Sequence, residues 1–204
     1  MEFQKFPKIP RYSRECVITE KIDGTNAQIR IEPIIKHTNM ENDFRSMEWA
    51  VIESGDFLYG VVPASRNRWI SPKKDNYGFA RWVSDNSKEL LKLGIGSHYG
   101  EWWGSGIQRN YGMDNRIFSL FDVNRWSDES IRPSCCGVVP VMFEGMFETS
   151  LINIAMDTLT SKGSVASPGF MNPEGIVIFH KQSSLLFKKT CKDDEKPKNS
   201  TDDA

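Results

Sequence analysis

The chain has 204 residues, enough for one domain with a sizeable core and marginal for two. Its 26 Lys and Arg against 27 Asp and Glu leave a formal charge of −1, which excludes a global basic field that holds long nucleic acid by counterion release alone; any polynucleotide contact has to be local. No apolar run approaches a membrane span and residues 1–7 lack the continuous apolar stretch of a secretory signal, so a soluble, cytoplasmic protein without membrane partners is expected.

Residues 1–14 carry Pro7, Pro10, Lys5, Lys8, Arg11 and Arg14, an irregular lead-in that reads equally as an arm touching phosphates or as a solvated one. In residues 17–31, apolar Val17 and Ile18 precede a polar segment closed by Asp23-Gly24. Ala27, Ile29 and Ile31 then alternate with Gln28 and Arg30. The pattern predicts two strands around a turn, a hairpin with Lys21 at the strand-to-turn junction. Such a junction holds a side chain on a rigid frame with its tip open to a cleft, as a catalytic amine requires. A Lys-x-Asp-Gly match is too short to decide this alone.

Residues 36–56 are polar and read as irregular, and residues 57–62 as a strand. In residues 64–74 four cations, Arg66, Arg68, Lys73 and Lys74, accompany Trp69. Guanidinium forks match phosphate or ribose oxygens and the indole can stack, against the plain alternative of an exposed charged loop. Phe79, Trp82, Val83, Leu90 and Leu91 share one helical face, which predicts a single amphipathic helix over residues 79–93, ended by Gly94. Residues 97–112 begin as an aromatic strand and break into a glycine-rich loop. Glu101, beside Trp102 and Trp103, is expected to be buried with a partner.

Residues 116–123 read as a strand, as do residues 138–143, where Pro140 marks an edge or a strand start. Leu151, Ile152, Ala155, Met156 and Leu159 mark a second amphipathic helix ended by Gly163. Residues 174–179 and 185–189 read as a terminal hairpin, and residues 191–204 as a polar, disordered tail. Cys16, Cys135, Cys136 and Cys191 show no Cys-x-x-Cys spacing and are expected as reduced thiols; His37, His98 and His180 are too scattered for a structural zinc site. The sum is an α+β fold of mainly antiparallel sheets with about two helices, a two-sheet domain with a cleft.

An amine (Lys21), two carboxylates (Glu101, Glu174) and a second cation (Lys188) at strand ends suit phosphate chemistry at an activated lysine. The ordered segments EKIDG (20–24), SRNR (65–68), GEWWGSGIQRN (100–110), FSLFD (118–122), EGIVI (174–178) and LFKK (186–189) resemble the motifs of the covalent nucleotidyltransferase superfamily, the ATP-dependent ligases and mRNA capping enzymes. The run into GIQRN and residues 139–145 are most similar to the phage-type RNA ligase 2 branch.

The resemblance implies an adenylation domain of ATP-grasp-like ligase fold over residues 1–190, with the active-site cleft between sheets. It implies an ATP-dependent RNA ligase that joins 5′-phosphate and 3′-hydroxyl RNA ends through a lysyl-AMP intermediate at Lys21. Glu101 would hold the ribose, Arg66 the ribose or a phosphate, and Phe121 would stack on adenine, with Phe118 as the competing ring. Glu20 and Asp23 belong to the nucleotide-binding set. Glu174 would orient the lysine or a hydrated Mg²⁺ or Mn²⁺, mostly through water. Lys188 would neutralise the α-phosphate, and the adjacent Lys189 either substitutes for the second lysine of the family's last motif or points away on the opposite strand face.

A free lysine, with a pKa of about 10.4, is only about 0.1% neutral near pH 7.4, so the site must favour the amine. The sequence departs from the family where Thr190 stands in place of a second lysine, and in ending almost at the last motif. Self-adenylylation is therefore the firmer expectation, with an accessory protein or domain for substrate docking; a monomer is expected. The alternatives are a capping-type guanylyltransferase, a minimal DNA ligase, and an inactive nucleotide- or RNA-binding module.

Overall fold

The computed structural model describes residues 2–194. The chain divides into two compact units, Met1–Ile22 with Pro140–Ala204 and Asp23–Val139, so it passes from one to the other after Ile22 and returns before Pro140.

The first unit is built on a four-stranded antiparallel sheet of order β10-β9-β1-β8. Its strands are β1 (Glu15–Lys21), β8 (Val141–Met146), β9 (Gly175–His180) and β10 (Leu185–Thr190). Helix α5 (Thr149–Lys162) covers one face, where Ala155 and Leu159 pack on Cys16, Ile18, Ile176 and Ile178. The helix therefore forms where its apolar spacing predicts, and it stops before Gly163. The terminal hairpin is β9 with β10. The tail expected over residues 191–204 lies outside the described residues from 195 onward.

The second unit contains a six-stranded sheet of order β3-β4-β2-β5-β6-β7, antiparallel except for β6 beside β7. The strands are β2 (Thr25–Ile34), β3 (Ala50–Ser54), β4 (Phe57–Ser65), β5 (Gly96–Gly104), β6 (Arg116–Leu120) and β7 (Cys136–Val138). The short helices α2 (Phe79–Asp85) and α3 (Ser87–Leu90) deliver Phe79, Ala80, Val83 and Leu90 to a core with Ile29, Ile31, Trp102, Phe118 and Leu120. Helices α1 (Asn39–Ser46) and α4 (Val123–Trp126) complete the unit. No described helix is long and apolar enough to cross a membrane.

Four sequence expectations need correction. β1 and β2 are not a hairpin: β1 pairs with β8 on one edge and β9 on the other, which leaves it no edge for β2, and β2 lies in the other sheet between β4 and β5. The helix expected over residues 79–93 is interrupted at Asn86, whose side-chain amide donates to the Trp82 carbonyl at 2.8 Å; α2 and α3 meet there, followed by a 3-10 turn at Leu91–Leu93. Residues 36–56 hold α1 and β3, obscured because Met40 and Phe44 are the only apolar residues of α1. The single strand read across Pro140 is two, since β7 ends at Val138 and β8 begins just past the proline, on a sheet edge as proline prefers.

Candidate active site

Lys21 is the last residue of β1, a strand hydrogen-bonded on both edges, so its backbone is fixed while the side chain leaves the end of the sheet. Its Nζ donates to Glu174 Oε2 at 2.6 Å. Glu174 is only 3% exposed and directly precedes β9, and its carbonyl accepts the Cys191 N–H at 2.8 Å. Gly175 sets the carboxylate's place. It pairs with Lys21 on one side and Thr190 on the other, and at φ 155° a Cβ would lie 2.1 Å from the Lys189 carbonyl oxygen. Only glycine lets the three strands close up beside the acid.

Strand pairing sorts the neighbouring charges by face, because directly paired residues project to the same side and successive residues alternate. Lys21 pairs with Gly175 and Gly175 with Thr190; Thr19 pairs with Val177 and Val177 with Lys188. Lys188 and Thr190 therefore share the Lys21 face, and Lys188 is exposed. Glu20, Ile176 and Lys189 occupy the opposite face. Lys189 is ion-paired with Asp194 at 3.4 Å.

Glu20 is almost wholly buried beside the loop after α5. Its Oε1 accepts from Ser164 Oγ at 2.6 Å and its Oε2 from the Val165 and Ala166 N–H groups, each at 2.8 Å. Burial pushes its carboxyl above the ordinary value, against the opposing pull of Ser164 and the two N–H groups. Of the residues named from sequence in this unit, the structure brings together Lys21 and Glu174, places Lys188 on their face, and turns Glu20 and Lys189 away.

In the second unit, Asp23, Glu101, Arg66 and Phe121 have distinct surroundings. The Asp23 carboxylate accepts from Arg109 Nε at 2.8 Å, and the Asp23 N–H donates to the Tyr111 hydroxyl at 2.8 Å. Glu101, on β5, accepts the Gly24 N–H at 3.0 Å. A Cβ on Gly24 would sit 2.5 Å from the Trp102 carbonyl oxygen and 2.7 Å from Trp103 Cβ, so the turn lies flat against β5. Phe118 is 0% exposed and packs on Phe79 at 5.1 Å, whereas Phe121, just past β6, is 40% exposed. That removes Phe118 as a stacking ring and leaves Phe121 available. Arg66 is exposed in the turn after β4, beside Trp69, which is also exposed.

Arg109 and Tyr111 are further residues of this site, and both lie within the glycine-rich stretch at residues 97–112. Gln108, Asn110 and Tyr111 all have left-handed backbones, at φ 43°, 61° and 52°. Each such non-glycine residue costs about 1–3 kcal/mol and persists only when its surroundings hold it. The held conformation drives Tyr111 into the core against Trp103 and brings Arg109 onto Asp23. A left-handed run of this kind has no reliable one-residue signature in sequence.

A carboxylate aimed at a lysine amine can orient a nucleophile, and a nearly buried acid can share a hydrated divalent cation. Among the described residues no three His, Cys, Asp or Glu side chains form a ready metal cage. The donor set suits a cation such as Mg²⁺ that keeps most of its waters and takes one carboxylate plus phosphate oxygens, with Glu174 as that carboxylate.

Comparison with known proteins gives concordant results. A family model described as RNA ligase matches residues 14–193. Among solved structures, an Arg-to-Ala variant of a Naegleria gruberi RNA ligase with ATP and Mn aligns at TM-score 0.55 and 15% identity, over 89% of this chain and 51% of that one. A Lys-to-Met variant with AMP and Mn aligns at 0.55 and 14%, over 88% and 50%. A Lys-to-Ala variant of the R4a form without ligand aligns at 0.54 and 14%, over 86% and 49%. At these identities the structural likeness speaks to the fold, and the chain spans about half the length of those neighbours. No curated protein sequence matches.

Proposed function

Since this chain belongs to the RNA ligase family, we propose that it carries out the nucleotidyl transfer of an ATP-dependent RNA ligase, with Lys21 as the nucleophile. The observation that carries the reading is the 2.6 Å contact between Lys21 Nζ and the nearly buried Glu174 carboxylate at the end of a doubly paired strand.

Lys21 Nζ attacks the α-phosphorus of ATP, an N–P bond forms, the bond to the β-phosphate oxygen breaks and pyrophosphate leaves. Glu174 both aims the nitrogen and lies within reach of the proton that must depart from it. A divalent cation held through Glu174 and phosphate oxygens would supply charge neutralisation at the departing pyrophosphate. Lys188, on the Lys21 face, stabilises charge building on the α-phosphate. Glu101 and Arg66 contact the ribose or a phosphate, and Phe121 stacks on the base. Asp23 acts with Arg109, the ion pair fixing the aspartate. AMP then passes from Lys21 to the 5′-phosphate of an RNA end, and a 3′-hydroxyl displaces it. The solved neighbours with ATP or AMP and Mn support the choice of nucleotide and metal.

Intact mass spectrometry after incubation with ATP and Mg²⁺ tests this. The expected result is one added AMP, abolished in Lys21→Ala. Labelling by GTP and not ATP would move the chain to capping-type chemistry, and a labelled Lys21→Ala protein would remove the lysine from the mechanism.

A further inference from the structure

Residues 2–14 hold a pattern that helix and strand periodicities leave unread. Phe3, Phe6, Ile9 and Tyr12 recur every third residue, and Lys5, Lys8, Arg11 and Arg14 recur every third residue among them; Glu2 is the one acid of the segment. Pro7 and Pro10 fix their own φ near about −65° and push the preceding Phe6 and Ile9 out of the helical region. The polyproline II helix these constraints favour has about three residues per turn and rises about 3.1 Å per residue. A three-residue repeat on it becomes two straight stripes, one apolar and one basic, each with a step of about 9.3 Å.

The segment's surroundings agree with that reading. Residues 2–11 lie in no helix or strand. Phe3, Phe6 and Ile9 are 92%, 79% and 82% exposed. The end of the segment is moored to the first unit: the Arg11 N–H donates to Gln182 Oε1 at 3.0 Å, and Tyr12 meets Phe147 edge-on at 4.8 Å. The Tyr12 carbonyl lies 3.0 Å from His180 Nε2, and the Phe147 N–H donates to the Arg14 carbonyl at 2.8 Å. The segment is thus moored at residues 11–14 while Phe3, Phe6 and Ile9 face solvent.

We propose that residues 2–14 are a binding arm for single-stranded RNA, in which bases stack on Phe3 and Phe6 and phosphates are held by Lys5, Lys8, Arg11 and Arg14. Sequence-tolerant binding of single strands combines aromatic platforms with cations along the backbone, and here a cation stands between each pair of apolar residues. A membrane-surface segment needs a broad helical apolar face, which the two prolines disallow. The choice of RNA among polyanions rests on the ligase reading above.

The test uses the full chain and a fluorescently labelled, 5′-phosphorylated single-stranded oligoribonucleotide. Phe3→Leu with Phe6→Leu keeps apolar bulk and removes the ring faces; affinity should fall at least about five-fold per stacked base lost. Lys5→Ala with Lys8→Ala should reduce the slope of log affinity against log salt by about 0.7 for each phosphate contact removed. Both variants should still gain AMP on Lys21 at the parental rate. Parental RNA affinity and salt slope in both variants would overturn the proposal, as would unchanged RNA binding together with lost binding to phosphatidylserine vesicles. Absence of AMP labelling in parent and variants alike, with RNA affinity still falling, would sink the ligase reading and leave the arm standing.

Discussion

At the scale of single residues, two buried glutamates one strand apart have opposite duties. Glu174 faces the Lys21 amine, and Glu174→Gln keeps its shape while removing its charge. Single-turnover labelling with ATP should slow by about 10²-fold, the usual loss when an oriented electrostatic contact to reacting groups is removed. Glu20 instead closes the loop after α5 through Ser164, Val165 and Ala166. Glu20→Ala strips three donors of their acceptor, and urea unfolding should show a loss on the order of 3 kcal/mol. Because burial raises the Glu20 carboxyl, it binds its proton more tightly in the folded chain than in the unfolded one. Its ionisation-linked contribution is complete below the unfolded value and is lost as pH rises through the raised one, so the Glu20→Ala penalty should be larger near about pH 4 than near about pH 7. The family resemblance gathers Glu20, Glu174, Lys188 and Lys189 in one nucleotide-binding set and leaves Lys189 either to substitute for a second lysine or to point away; which side of a strand each serves is known only once the pairing is known.

The element that separates them is β10. Its register against β9 puts Lys188 and Thr190 on the Lys21 face and Lys189 behind it. Lys188→Ala should therefore cut adenylylation by about 10²-fold. Lys189→Ala should stay within about two-fold of the parent, because Lys189 lies on the face away from Lys21 and its partner is Asp194. Thr190→Lys introduces a cation in the row of Lys21 and Gly175, and should raise the labelling rate; a decrease would argue that this row does not face the phosphates. Strands such as β2 and β9 were legible because their apolar residues alternate or run continuously between turn residues. The break at Asn86 was not, because the apolar stripe continues through it from Val83 to Leu90 while only one side-chain amide diverts the backbone.

For the whole molecule, the α+β class and the terminal hairpin could be read from patterning, and the partners of β1 could not. Alternation tells which residues share a face but never which strand lies alongside, and the Asp23-Gly24 pair imitates a hairpin turn while the chain is leaving one sheet for another. Between the two rings that the family resemblance offers for stacking, Phe118 is fully buried and Phe121 is 40% exposed, a difference of burial that the apolar character of both leaves invisible in sequence. The unit Asp23–Val139 contains all six strands of its sheet and a core cluster drawn entirely from its own residues. Expressed alone, residues 23–139 should melt cooperatively by near-ultraviolet circular dichroism and take no label from ATP. A non-cooperative melt would show that its core depends on the remainder of the chain.

The sheet order also sets how freely the two lysines can shift. β1 is bonded along both edges whereas β10 is bonded along one, so in deuterated solvent the amides of residues 16–20 should exchange far more slowly than those on the outer edge of β10. On the proposed mechanism the Lys21 nitrogen is thereby mounted on a stationary rail, while Lys188, the cation proposed to meet the phosphate, rides on a border strand able to breathe, so adjustment to each successive phosphoryl geometry would fall to Lys188.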